Sequence, residues 1–204
     1  MLTQSLVGAA RTEARIVETA RSLVAEGGAD ACSMRAVAEG SGVTAAAIYK
    51  HFRDKTALVE HLVGLSFESF ERSLLEAIAP LPVGSFARLA ALGEAYIRFA
   101  SEHEEEFKVL FMPLRGGPKK LSEVPGEGGY PILRQCVVEA MAAGSVRGDD
   151  PDLVSFYLWS RVHGIVMLLL ACDLSEVMGT VEGEAGPLDL FGLTRSFVID
   201  GLAP

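Results

Sequence analysis

Between Gly42 and Phe52 the chain reads GVTAAAIYKHF, so three alanines run straight into Tyr49, Lys50, His51 and Phe52, with Lys55 three residues further on. Tyr49 and His51 carry donors suited to phosphate oxygens, and Lys50 can reach a phosphate or a guanine edge. Ala45 and Ala46 are small enough to let a helix approach another surface closely, and Thr44 offers a hydroxyl. Lys55, at the start of the next helix, adds its charge to exposed backbone N–H groups and the positive end of the helix dipole, which together suit an anion. Ile48 and Phe52 are better suited to packing. The chemistry these types could perform together is recognition of a polyanion.

The net charge of −9 argues at first against that chemistry, because phosphate binding needs Lys and Arg. Its distribution reverses the argument. Residues 1–61 balance seven basic against seven acidic side chains, so the whole deficit lies in residues 62–204. A neutral head on an acidic body is compatible with DNA binding through a local basic patch. Cys32, Cys136 and Cys172 are widely spaced without a metal-ligand rhythm, which suits a reduced, cytoplasmic chain. The longest apolar run, Gly164 to Cys172, is about half of what a membrane span needs, and Met1 to Ala10 lacks a signal-peptide pattern.

Helices must position these residues. Apolar side chains recur at helical spacing almost throughout, and no segment alternates with a period of two, so an all-α fold is expected. A first helix from about Thr12 to Glu26 carries Ile16, Val17, Ala20, Leu23 and Val24 on one face and stops at Gly27-Gly28. Ser33 caps a second, Met34 to Glu39, with Val37 and Ala38 inward; Gly40 to Gly42 make a tight turn; Thr44 caps a third, ending near His51. Two helices joined by such a turn form a helix-turn-helix. Asp54 caps a fourth helix reaching Ala79. Further helices fit Ser85–Glu102, Glu104–Met112, Tyr130–Gly144, Pro151–Leu174 and Leu188–Leu202, about nine in all. Gly- and Pro-rich stretches, Pro113–Gly129 and Ser175–Pro187, read as mobile loops.

The segment SMRAVAEGSGVTAAAIYKHFRDKTALVEHLV, Ser33 to Val63, preceded by RIVETARSLVAEGGAD, Arg15 to Asp30, resembles the DNA-binding head of the TetR family of transcriptional regulators. The resemblance covers about the first quarter of the chain. It places operator contacts on Ser33 and Arg35, on Thr44, Ala45 and Ala46, on Tyr49, Lys50 and His51, and on Lys55. Tyr49, His51 and Lys55 match the family's phosphate-contacting types. Ala45, Ala46 and Ala47 depart from the polar side chains common in relatives, which leaves hydrogen-bonded base reading to Arg35 and Lys50. The resemblance implies a DNA-binding domain over residues 1–56 and a ligand-binding and dimerisation domain over 57–204. It further implies a repressor released from a near-palindromic double-stranded DNA operator by a small molecule.

In the body, YIRFASEHEEEFKVLFM, Tyr96 to Met112, and WSRVHGIVMLL, Trp159 to Leu169, look like the subgroup named for a Trp-His-Gly signature, here Trp159, His163 and Gly164. Trp159 and His163, four residues apart, share one helix face. Phe67, Phe70, Tyr96, Phe99, Phe111, Trp159 and His163 are candidates to line a site for an apolar or amphipathic ligand, although aromatic residues at helical spacing also serve as simple core. The acids of Glu102 to Glu106 suit the opening turn of a helix better than a metal. Cys136 and Cys172 lie in apolar helical runs where thiols are inert. The last two helices, Pro151–Leu174 and Leu188–Leu202, are the most apolar in the chain and the best candidates for a homodimer interface; VHGIVMLLLAC in the first of them is hydrophobic nearly all round and must be buried, either in the subunit or against a partner. No catalytic constellation, cofactor motif or metal site stands out, so neither an enzyme nor a cofactor is expected. A ligand-independent architectural DNA binder and a helical-bundle enzyme are the alternatives.

Overall fold

The computed structural model describes residues 2–111 and 129–172, with side chains from Gly8 onward. Among these residues the chain forms eight helices and no strand: α1 Leu2–Ala31, α2 Met34–Ser41, α3 Ala45–Ile48, α4 Lys55–Ile78, α5 Phe86–Glu102, α6 Glu104–Phe111, α7 Gly129–Ala142 and α8 Pro151–Ala171. The expected helix Leu188–Leu202 and the loop Ser175–Pro187 lie outside the described residues, as does Pro113–Gly129 except for Gly129, which opens α7.

Local chemistry accounts for most boundaries. α1 starts ten residues earlier than the apolar stripe indicates, yet it breaks where expected, since Gly27 and Gly28 leave helical geometry. Ser33 Oγ accepts from Ala36 N, Thr44 Oγ1 from Ala47 N, and Asp54 Oδ1 from Ala57 N, so all three expected N-caps form. The turn between α2 and α3 is shorter than GSG indicates. Gly40 and Ser41 remain helical, and only Gly42 turns left-handed, with φ 63°. Val43 N reaches back to Ala38 O and Gly42 N to Glu39 O, which closes the helix in a Schellman arrangement. α3 is correspondingly brief, and Tyr49 to His51 continue as turns. At α8, Asp150 accepts from Asp152 N and Leu153 N, and Pro151 occupies the first turn, where its missing N–H costs nothing.

The described chain divides into two compact units. The first holds residues up to Glu68 together with α6. Its core joins Ile16, Val17, Ala20 and Val24 of α1 to Cys32, Val37, Ile48, Phe52, Leu58, Leu62 and Val109. Arg15 donates to the Ser41 carbonyl, tying α1 to the last turn of α2. Arg21 lies 3.5 Å from Glu106, and Ser22 Oγ donates to Glu105, which joins α1 to the acidic first turn of α6.

The second unit holds Ser69–Glu102, α7 and α8. Buried residues include Phe70, Leu74, Leu92, Tyr96, Phe99, Val137, Val162 and Val166. Arg88 pairs with Glu139 at 3.0 Å between α5 and α7, and Arg134 pairs with Asp152 at 2.7 Å between α7 and α8. α4 continues through Glu68 and Ser69, so it belongs to both units.

One expectation for the body needs correction. Cys172 is exposed because α8 ends at Ala171, one residue before it; Cys136 is buried as expected. α8 presents apolar side chains at the surface of the single subunit. Leu153 is 68% and Leu168 55% exposed, with Phe156 and Tyr157 also open, while α5 and α7 pack against the helix. By length and composition alone α8 would suit a membrane span, which the shorter apolar run in the sequence did not indicate.

Candidate functional site

The head presents its polar residues on and around a short exposed helix. Ala45 and Ala46 of α3 are exposed, as are Arg35 on α2 and Lys50 after α3, while Tyr49 is 55% exposed. Beneath them Ile48 and Phe52 are buried in the core, so the backbone of this surface is held rigidly from behind. The Ser33 and Thr44 oxygens accept from cap N–H groups, which leaves each hydroxyl hydrogen available to an outside acceptor. Lys55 is partly buried at the first turn of α4 and lies close enough to Cys32 to favour its thiolate; burial outweighs this and pushes the Cys32 thiol up.

His51 differs from its neighbours. Its ring is mostly covered, and Nδ1 lies 3.2 Å from Glu13 Oε2 on α1. The other Glu13 oxygen lies 4.0 Å from His61 Nε2 of α4, and the His61 ring stands 5.4 Å from that of Phe52. Glu13 is thus a residue of this surface that the sequence does not signal. It is 38 residues from His51 and sits in a helix whose polar positions look ordinary.

In the second unit five of the seven proposed ligand residues come together. Phe70 meets Tyr96 edge-on at 5.2 Å and Phe99 at 5.1 Å. Tyr96 Oη lies 2.8 Å from His163 Nδ1, and the two rings meet edge-on at 6.3 Å. The Trp159 and His163 rings are 5.9 Å apart, which bears out the shared face that their spacing implies. Burial pushes the Tyr96 phenol well above its ordinary pKa, against the weaker effect of Trp159, and burial pushes His163 down, so the cluster is a neutral hydrogen-bonded one. Tyr130 of α7, which the sequence reading passed over, packs edge-on against Trp159 at 5.8 Å. Phe67 and Phe111 belong instead to the first unit, where Phe111 lies 4.6 Å from Phe107.

The comparisons with known proteins match both parts of this arrangement. Residues 16–62 match the bacterial regulatory proteins of the tetR family, and residues 89–183 match the tetracyclin repressor-like C-terminal domain. The chain belongs to the TetR family. It is a DNA-binding transcriptional regulator. The C-terminal match is to a tetracyclin repressor-like domain and does not name the Trp-His-Gly subgroup. A protein of unknown function from Rhodococcus sp. RHA1 is 27% identical, over 95% of this chain and 96% of that one, with TM-score 0.72. The ketosteroid transcriptional regulator KstR2 of Mycobacterium tuberculosis is similar in fold at 17% identity, covering 94% of this chain and 95% of that one, with TM-score 0.69. AibR, solved with isovaleryl coenzyme A and operator DNA, is similar in fold at 19% identity, covering 87% and 92% of the two chains, with TM-score 0.66. No curated protein sequence matches the chain.

Proposed function

We propose that this TetR-family regulator is a cytoplasmic, homodimeric repressor that leaves a near-palindromic operator when a small apolar or amphipathic molecule occupies its body. It is not an enzyme on this reading. Residues 1–56 read DNA, and residues 57–204 bind ligand and pair the subunits. The observation that carries the reading is the exposed α3 surface, Thr44, Ala45, Ala46, Tyr49 and Lys50 with Arg35 beside it, standing on a buried Ile48–Phe52 foundation. Arg35 and Lys50 read base edges, while Ser33, Thr44, Tyr49, His51 and Lys55 hold phosphates.

The ligand site is built on Phe70, Tyr96, Phe99, Trp159 and His163 of the second unit. Its mixed character, apolar rings around a neutral polar cluster, suits a molecule with an apolar body and a hydrogen-bonding group. Acyl thioesters of coenzyme A are the first class to test, because AibR, of similar fold, holds isovaleryl coenzyme A. The exposed Leu153, Phe156, Tyr157 and Leu168 of α8 support a two-fold interface there, completed by the helix expected over Leu188–Leu202. Such a dimer sets two α3 helices in successive major grooves, about 34–36 Å apart.

α4 links the two activities, since it starts at Lys55 and carries Phe70. A ligand that tilts it separates the two α3 helices, provided that it prefers the released state. Near-complete release needs a preference approaching ~10⁴-fold. By reciprocity, operator DNA must weaken ligand binding by the same factor. Calorimetric titration of an acyl-CoA panel, with and without a duplex selected from a random library, tests this. Equal ligand affinities in both titrations would refute release by ligand. Operator binding with no thermal shift across the panel and a wider apolar library would favour a ligand-independent DNA binder.

A further inference from the structure

Tyr49 and Lys50 can present a donor to a phosphate whatever the rest of the molecule does. His51 cannot, because Glu13 governs where its proton sits. A carboxylate only accepts hydrogen bonds, so the contact of 3.2 Å between Glu13 Oε2 and His51 Nδ1 requires the hydrogen on Nδ1. A neutral imidazole has one N–H. With that hydrogen committed to Glu13, Nε2 carries a lone pair, which repels a phosphate oxygen rather than donating to it. Nε2 makes no hydrogen bond to the described residues. For His51 to hold Glu13 and a DNA phosphate together, both ring nitrogens must carry hydrogen, and the ring must be the imidazolium.

We propose that Glu13 is a positioning residue for operator recognition and that it couples DNA binding to uptake of a proton by His51. The proposal rests on the reading of His51 as a phosphate contact. The proton comes from solvent and ends on Nε2, between the ring and the phosphate. Bound DNA favours the charged ring, so affinity rises as pH falls through the range in which imidazoles titrate, roughly pH 5–8.

The charged groups around the ring fit this role. Glu13 approaches from α1, and His61 of α4 shares that carboxylate at 4.0 Å. Lys50 precedes the ring, Lys55 begins α4, and Arg53 pairs with Asp54 at 3.2 Å in an exposed contact. Lys and Arg hold their charge over that range. Glu13 is half exposed, which makes it a position where substitution tests electrostatics rather than packing.

The test uses the full-length protein and a duplex selected from a random-sequence library, with affinity measured by fluorescence anisotropy at constant ionic strength and pH 6, 7 and 8. Calorimetry in two buffers of different ionisation enthalpy counts the protons taken up. Wild type should lose about three- to tenfold in affinity per pH unit per subunit, up to about one proton each. Glu13→Gln should still bind but with under about twofold change per pH unit and no net uptake, because its amide N–H can donate to Nδ1 and leave the single ring hydrogen on Nε2 for the phosphate. His61→Gln should keep the wild-type dependence. A flat wild-type profile, an unchanged slope in Glu13→Gln, or loss of the slope in His61→Gln would each overturn the coupling. His51→Gln separates the two levels of the reading. Undiminished affinity in that variant would refute the phosphate contact itself, whereas weakened binding with a flat wild-type profile would refute only the proton coupling.

Discussion

Gly42→Ala isolates the contact that ties α1 to the helix-turn-helix. Gly42 has φ 63°, and a Cβ built there would lie 2.9 Å from Arg15 Nη2, the group that donates to the Ser41 carbonyl. Gly144 is the control. It has φ 70° and closes α7 by the same pair of bonds, Ser145 N to Ala140 O and Gly144 N to Met141 O, but nothing lies within 4 Å of its Cβ position. Left-handed geometry costs a non-glycine residue about 1–2 kcal/mol, and both substitutions incur it. Only Gly42→Ala also displaces the Arg15 side chain. A hydrogen bond from a charged group contributes about 1.5–3 kcal/mol in general, and the exposure of Arg15 reduces that to roughly 1 kcal/mol. The expected losses are therefore about 1–2 kcal/mol for Gly144→Ala and about 2–3 kcal/mol for Gly42→Ala. Urea unfolding followed by circular dichroism, with m-values compared to check cooperativity, measures both. In an Arg15→Ala background the excess at Gly42 should vanish. An excess that persists there, or equal losses at the two glycines in the parent chain, would refute the assignment of the difference to Arg15.

Replacing the proposed phosphate and base contacts should produce two different failures: Lys55→Ala weakens all duplexes similarly and lowers the salt slope by about one, whereas Arg35→Ala costs roughly 1–3 kcal/mol and relaxes one operator position. Equal loss of sequence discrimination from both would contradict the division. Because burial lowers the His163 pKa, the folded state resists protonation there; stability is retained above the imidazole's ordinary value of about 6.5 and is lost as pH falls through it, so His163→Gln should lessen the loss in thermal melts between pH 7 and pH 5. Removing residues 188–204, or placing Glu at the exposed Leu168, should leave monomers in sedimentation velocity and abolish operator binding with them; a dimer surviving both changes would move the interface away from α8.

Sequence alone was enough wherever the deciding interaction spans three or four residues. Ser33, Thr44 and Asp54 cap helices through bonds to N–H groups three positions ahead, and Trp159 and His163 share a face because a helix turns once in 3.6 residues. The apolar stripe of Ile16, Val17, Ala20 and Val24 likewise marks its own buried face. Local rules were less sure where they competed. Gly40 and Gly42 both read as turn, but one left-handed residue is enough to close α2, and Gly40 stays helical. Contacts between helices left no such trace. Glu13 meets His51 across 38 residues and Tyr96 meets His163 across 67, and either pairing depends on how two helices are packed. The neutrality of the Tyr96 cluster follows from its packing. For α8 the sequence measured how apolar the helix is, but how much of it is covered depends on its neighbours, and α5 and α7 leave Leu153, Phe156, Tyr157 and Leu168 open. Hydrogen bonds within a turn are written in neighbouring residues, whereas burial and charge are set by whatever distant segment the fold brings alongside.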